Sequence, residues 1–171
     1  MHNTSQVWKE FNKNELTHSM AHYLMAIYEL HQSQGYARLS DMAATLNISK
    51  GSLSTSLKPL IKKGLIIEDD NKHLKLSEVG EELAVHIENT YSVVAKFLHE
   101  ILGVNHKQAE IDACKIEHLI SDKTSSALMS LYKAISGNPK LALELHKEVE
   151  KFKSCSVKGC KSCTKNKFCL D

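Results

Sequence analysis

Glycine and proline are scarce: a chain of 171 residues contains 7 and 2 of them. That leaves little material for long flexible linkers. Long apolar runs are missing too. No stretch reaches the ~18 residues that a membrane span requires, and residues 1–15 are polar, without the apolar centre of a signal peptide. These absences point to a cytoplasmic protein with no membrane partner, in which thiols stay reduced. A strong overall charge is also lacking, the formal net charge being +2, so the total says little about partners. No internal repeat, Gly-rich phosphate loop or nucleophile–base constellation stands out, and there is no obvious grouping of paired carboxylates. An enzyme is therefore the weakest reading.

What is present is helical periodicity. After Thr17, a candidate N-cap, Met20, Leu24, Ile27 and Tyr28 form a buried stripe that should end at Gly35. Ser40 reads as the cap of a short helix over 41–46. Asn47 and Ile48 make a tight turn, and Ser49 caps a third helix ending at Gly64, with Leu53, Leu57, Leu60 and Ile61 on its apolar side. Pro59 lies inside that helix and should kink or locally break it. The period then changes. Residues 65–68 and 73–76 read as two strands around the turn Asp69-Asp70-Asn71-Lys72. This order of helices and hairpin is the layout of a winged helix-turn-helix.

Ser77 caps a long helix to about residue 102, bearing Leu83, Ile87, Val94, Phe97, Leu98 and Ile101, a stripe too long for so small a domain to cover alone. Asn105 starts a helix to about 120, Ser121 one to about 136, and Asn138-Pro139 a last one to about 153. The expected fold class is mainly α: a winged helix-turn-helix followed by a helical domain. The expected division is a polar arm (1–16), a DNA-binding domain (17–76), a helical domain (77–153) and a Cys-rich tail (154–171).

Charge is distributed unevenly. Between residues 49 and 63 there are four lysines and no acid. In a helix-turn-helix the N-terminal residues of the second helix reach base edges in the major groove. Here these are Ser49, Lys50, Gly51, Ser52, Ser54 and Thr55, small or polar, while Lys58, Lys62 and Lys63 continue along the outer face and suit phosphates. Arg38 and the hairpin's Lys72, His73 and Lys75 would straddle the backbone. The competing reading is a solvated lysine face, which a charge run alone would favour. The caps, the hairpin and the missing acids tip the balance toward double-stranded DNA.

Cys114, Glu117 and His118 stand at i, i+3 and i+4, on one helical face. A thiolate, a carboxylate and an imidazole together suit a transition metal. His22, turned away from the core stripe of the first helix, is a fourth candidate ligand, and Met25 lies three residues on. A buried, unreactive Cys114 beside a surface Glu117 is the alternative. Four further cysteines, Cys155, Cys160, Cys163 and Cys169, crowd the tail with six lysines between residues 151 and 167. In a reducing compartment they suit one Fe–S cluster or one structural zinc. Their 4-and-2 opening spacing matches plant-type ferredoxins and is similar to the cysteine loop of small ferrous-transport accessory proteins. A basic tail without a defined centre is the third possibility.

Residues 22–28, 39–67, 76–80 and 113–122 carry a resemblance to a known family. From 17 to about 135, about two thirds of the chain, the sequence resembles the iron- and manganese-dependent repressors of the diphtheria toxin repressor/manganese transport regulator family. The most specific match is Cys114-x-x-Glu117-His118 followed by Ser121-Asp122, the iron-type pattern. The resemblance implies a homodimer joined through the helices after the wing, and metal-favoured DNA binding that represses transport or storage genes. It implies His22 where the family has Met or Asp. Glu residues of manganese-type members are replaced by Cys114 and Met25, which argues against a two-manganese site and for Fe²⁺. Tyr91 and Glu110 occupy the positions of the family's second-site histidines, so that site is expected to be absent. The length leaves no room for the SH3-like third domain of longer members. An Fe–S or metal accessory protein of a transporter, using the winged helix for protein contacts, is the alternative. It would expose apolar residues along the helix that carries Lys50 to Lys63.

Overall fold

The computed structural model describes residues 16–150. Helix α1 (His18–Gln34) begins where Thr17 Oγ1 accepts the Met20 amide, at 3.3 Å. It ends at Gly35, whose φ of 81° is the left-handed conformation a residue without Cβ adopts at no steric cost. Strand β1 (Ala37–Arg38) and helix α2 (Leu39–Thr45) follow. Helix α3 (Lys50–Lys62) is capped by Ser49, whose hydroxyl accepts the Ser52 amide at 3.1 Å. Strands β2 (Ile66–Glu68) and β3 (His73–Leu76) form the wing. The sheet order is β1-β3-β2, all antiparallel, with Ala37 opposite Leu74 and Ile66 opposite Leu76.

Helix α4 (Glu78–Lys96) is capped by Ser77 and passes into a π-helical turn (Phe97–Ile101), closed by the Leu102 amide on the Phe97 carbonyl at 3.1 Å. Then come α5 (His106–Ile116), α6 (Asp122–Ser136) and α7 (Pro139–Glu150). Asn105 and Ser121 cap α5 and α6 through the amides of Lys107 and Thr124.

Four expectations need correction. Ile61 is not part of the apolar side of α3, which Leu53, Leu57 and Leu60 bury, but is 40% exposed. Ser40 does not cap α2. The helix starts two residues earlier, at Leu39, with Arg38 in the cap position and no capping side chain, while the Ser40 hydroxyl donates to Asp41. Arg38 is already fixed in β form by pairing with His73, so the sheet, not a hydroxyl, sets that boundary. Pro59 does not break α3, which runs through it. Pro59 is exposed, so the carbonyl left without an amide partner faces water rather than core. The helix after Asn105 stops at Ile116, not near 120. Residues 117–119 form a turn closed by the Leu119 amide on the Ile116 carbonyl. Strand β1 was not anticipated, because two residues carry no period and its partner lies 37 positions away along the chain (Ala37 with Leu74).

Two apolar clusters organise the molecule. The larger gathers Leu24, Ile27, Met42, Leu53, Leu57, Leu60, Ile66 and Leu74, and it closes on Ala84 and Ile87 from the first half of α4. The smaller joins Val93 and Val94, from the second half of α4, to Ala113, with Leu128, Met129 and Tyr132 packed against them. Helix α4 therefore belongs to both clusters, packing on α1 and on α5. Gly80 permits its first turn to approach the wing, since a Cβ there would collide with the Leu65 carbonyl. That same carbonyl accepts the Ser77 amide at 3.0 Å.

Candidate metal centre and nucleic-acid interface

Helices α1 and α5 meet at their polar faces. The spacing of His18 and His22 places both rings on one side of α1, with their Nε2 atoms 3.1 Å apart and their ring centres 4.4 Å apart. From α5, the Cys114 sulfur lies 3.3 Å from His22 Nε2. Glu117, one turn on, is 4% exposed. One donor atom from each of His18, His22, Cys114 and Glu117 lies within 4.8 Å of all the others. An ion with bonds of about 2.0–2.3 Å is reached from such positions by small side-chain movements, so the donor set fits a divalent transition metal.

His118 stands at the edge of this group. Its ring centre is 5.2 Å from that of His18, and its Nδ1 is buried, but it is not one of the four converging donors. His18 is the residue that sequence reasoning missed. Its signal was the His-x3-His spacing with His22, the same four-residue step that separates Cys114 from His118.

The electrostatics of the cluster follow from burial among like partners. Burial pushes the Glu117 carboxyl up to about 7. Burial, then the nearby Glu117, raises the Cys114 thiol. Burial, then His18, lowers His22, and burial with His18 and His22 lowers His118. Acids are driven toward their protonated forms and bases toward neutrality, in each case because charge there is poorly solvated. Tyr91 adjoins the group from α4: burial, then Glu110, Cys114 and Glu117, raise its hydroxyl.

The second candidate surface is α3 with the wing. Lys50, Gly51, Ser52, Ser54, Thr55, Lys58 and Lys62 are exposed on α3, as are Ile61 and Pro59. Three of its hydroxyls bond locally. Ser49 donates to Ser52 at 3.0 Å and Thr55 donates to the Gly51 carbonyl at 3.1 Å. In the wing, Lys72 pairs with Glu68 at 2.8 Å and Lys75 with Asp69 at 3.7 Å, so both cations are partly neutralised there. Arg38 lies 4.9 Å over the Tyr36 ring and donates to His73 Nε2 at 3.2 Å. Cys155, Cys160, Cys163 and Cys169 lie outside the described residues.

A winged helix with a basic, acid-free second helix, beside a helical half where imidazole, thiol and carboxylate donors converge, has the make-up of a metal-responsive DNA-binding regulator. Residues 15–74 match the pattern described as the iron dependent repressor N-terminal DNA binding domain, and residues 77–152 the iron dependent repressor metal binding and dimerisation domain. The chain belongs to this family, the metal-dependent transcriptional repressors of the diphtheria toxin repressor and manganese regulator type. It is 28% identical over 129 residues to the HTH-type transcriptional regulator MntR of Lysinibacillus sphaericus, covering 75% of this chain and 92% of that one. It is 25% identical over 117 residues to the diphtheria toxin repressor of Corynebacterium diphtheriae, covering 68% of this chain and 52% of the relative.

Solved structures share the fold. T. acidophilum IdeR superposes with a TM-score of 0.56 at 21% identity, over 69% of this chain and 55% of the other. The manganese regulator SloR gives 0.58 at 23%, over 65% and 52%. The chain thus spans about half the length of the diphtheria toxin repressor and of these two structures. Among the described residues, no helix is long and apolar enough to cross a membrane.

Proposed function

We propose that this chain is a homodimeric, cytoplasmic repressor of metal-homeostasis genes, switched by Fe²⁺ bound through His22, Cys114, Glu117 and His118. The observation that carries the reading is the 3.3 Å approach of His22 Nε2 to Cys114 Sγ. Those atoms belong to helices of different halves, so loading the site ties the DNA-binding half to the helical half. One thiolate with two imidazoles disfavours Mn²⁺ relative to Fe²⁺. The division into an arm (1–16), a winged-helix domain (17–76), a helical domain (77–153) and a tail (154–171) belongs to the same proposal.

Helix α3 enters the major groove with Ser49, Lys50, Gly51, Ser52, Ser54 and Thr55, and Lys58 and Lys62 hold phosphates. Arg38, Lys72 and Lys75 flank the backbone, Lys72 and Lys75 by exchanging their acidic partners for it. Of the exposed residues from Lys50 to Lys63, only Pro59 and Ile61 are apolar, and those from 50 to 58 are small, polar or basic, which supports DNA over the protein-contact role of a transporter accessory factor. Operator selection from random duplexes under anaerobic conditions, with and without Fe²⁺, tests this. Binding should need metal and fall with salt. Lys58→Ala should weaken all sequences and shallow the salt slope by about one, and His118→Ala should abolish the metal response while the fold stays intact. Metal-independent or salt-independent binding would refute it.

The tail adds a second input through an Fe–S cluster on Cys155, Cys160, Cys163 and Cys169, a reading supported by their spacing and the flanking lysines. Iron and acid-labile sulfide in anaerobically purified protein test it, and stoichiometric zinc without sulfide would establish a zinc knot in its place.

A further inference from the structure

We propose that His18 is itself a metal ligand, so that α1 contributes two imidazoles to the site and thereby sets its preference for nitrogen-favouring metals. The inference rests on the metal-site reading above but is not contained in it, since the ligand set drawn from the family resemblance has no donor at this position. The geometry carries it. His18 Nε2 is 3.1 Å from His22 Nε2, His22 Nε2 is 3.3 Å from Cys114 Sγ, and Glu117 completes a group whose four donor atoms all lie within 4.8 Å of one another.

A hydrogen bond between two surface imidazoles would by itself account for the first distance. It does not account for a thiol and a buried carboxylate from another helix converging on the same point. His18 also touches the rings on both sides of it, at 4.4 Å from His22 and 5.2 Å from His118. It is the exposed member, while Cys114 is half-buried and Glu117 buried, so its ring closes the solvent side of the cluster. Each added imidazole moves a site further toward metals late in the divalent series, and Mn²⁺ gains least. His18 then adds to the Cys114 thiolate in moving this chain away from a manganese site.

The test uses Co²⁺ as an optical probe on the full chain, with Cys155, Cys160, Cys163 and Cys169 changed to Ser so that one site reports. The parent should show a thiolate-to-cobalt charge-transfer band that Cys114→Ser removes. In His18→Ala the band should persist, with altered d–d bands, at least about tenfold weaker Co²⁺ affinity, and a smaller ratio of Co²⁺ to Mn²⁺ affinity. Because His18 is exposed, the circular dichroism and thermal unfolding of the metal-free variant should match the parent. Unchanged affinity and d–d bands in His18→Ala would overturn the proposal and leave the metal site standing. Absence of the thiolate band in the parent would overturn both.

Discussion

The two halves of this chain are built to different degrees of self-sufficiency. In the winged-helix half fourteen buried residues form one cluster, fed by three helices, the sheet and the start of α4. In the helical half the corresponding cluster has three buried members among the described residues. Leu102, Ile111, Ile116, Leu119, Leu131, Leu141 and Leu143 are exposed there. An apolar side chain left in water forgoes roughly 1.5–3 kcal/mol of burial, so the second half has more to gain from a second copy. That agrees with its match to a metal binding and dimerisation domain. The difference teaches where each function sits. The winged-helix half closes its cluster with help from the start of α4, and the half that matches a metal binding and dimerisation domain leaves more large apolar side chains in water.

The sharpest way to break this comparison is to delete a side chain from each half. Leu57→Ala, at a position 1% exposed, should cost about 2–5 kcal/mol of stability, independent of protein concentration in urea titrations. Leu131→Asp, at a position 49% exposed, should change the stability of the monomer by less than about 0.5 kcal/mol while shifting sedimentation toward monomer. If Leu131→Asp destabilises as Leu57→Ala does, the second half is as closed as the first.

The joint between the halves is the next target. Gly80→Ala would drive a Cβ against the Leu65 backbone, an overpacking expected to cost about 1–3 kcal/mol. The loss should appear as faster amide exchange in both the wing and α4, whereas a loss confined to α4 would mean that the halves are not coupled there.

The smallest effect is expected at the tip of the wing. Asp69 accepts the amides of His73 and Asn71, both at 2.9 Å. The His73 amide above all, with that of Asn71 and the charges of His73 and Lys75, holds its carboxyl below the ordinary value near 3.8. A lowered carboxylate contributes stability that is present above its unfolded value and is lost as pH falls through its folded one. Asp69→Ala should therefore speed exchange of the His73 and Asn71 amides at pH 7, and the difference from the parent should start to shrink as pH falls through about 4 and vanish only below the lowered folded value. A difference that persists at low pH would assign the turn to backbone geometry instead.

Most element boundaries were legible because their causes are local. Thr17, Ser49, Ser77, Asn105 and Ser121 cap the helices that follow them, since a side-chain oxygen two or three residues from an unpaired amide needs no tertiary partner. Ser40 had the same composition but not the same outcome, because a strand pairing with His73 had already placed the chain. Pro59 was read as a break because the sequence does not reveal that its face is exposed. In the metal cluster, the helical spacings of His18 with His22 and of Cys114 with Glu117 are both legible in the sequence, but nothing local aims the two pairs at one point. Whether His18 joins it depends on the rotation of α1 against α5.

The sequence by itself determined most of the helices, the order that makes a winged helix, the acid-free basic face of α3, and the close spacing of the Cys114 thiol, the Glu117 carboxylate and the His118 imidazole at the end of α5. Each follows from residues within about two turns of one another. Tertiary structure decided that donors 92 positions apart in the chain share one point. It did so through α4, which packs on both α1 and α5. Periodicity tells a helix which side to bury, but only the packing of a third helix fixes how two polar faces are rotated toward each other.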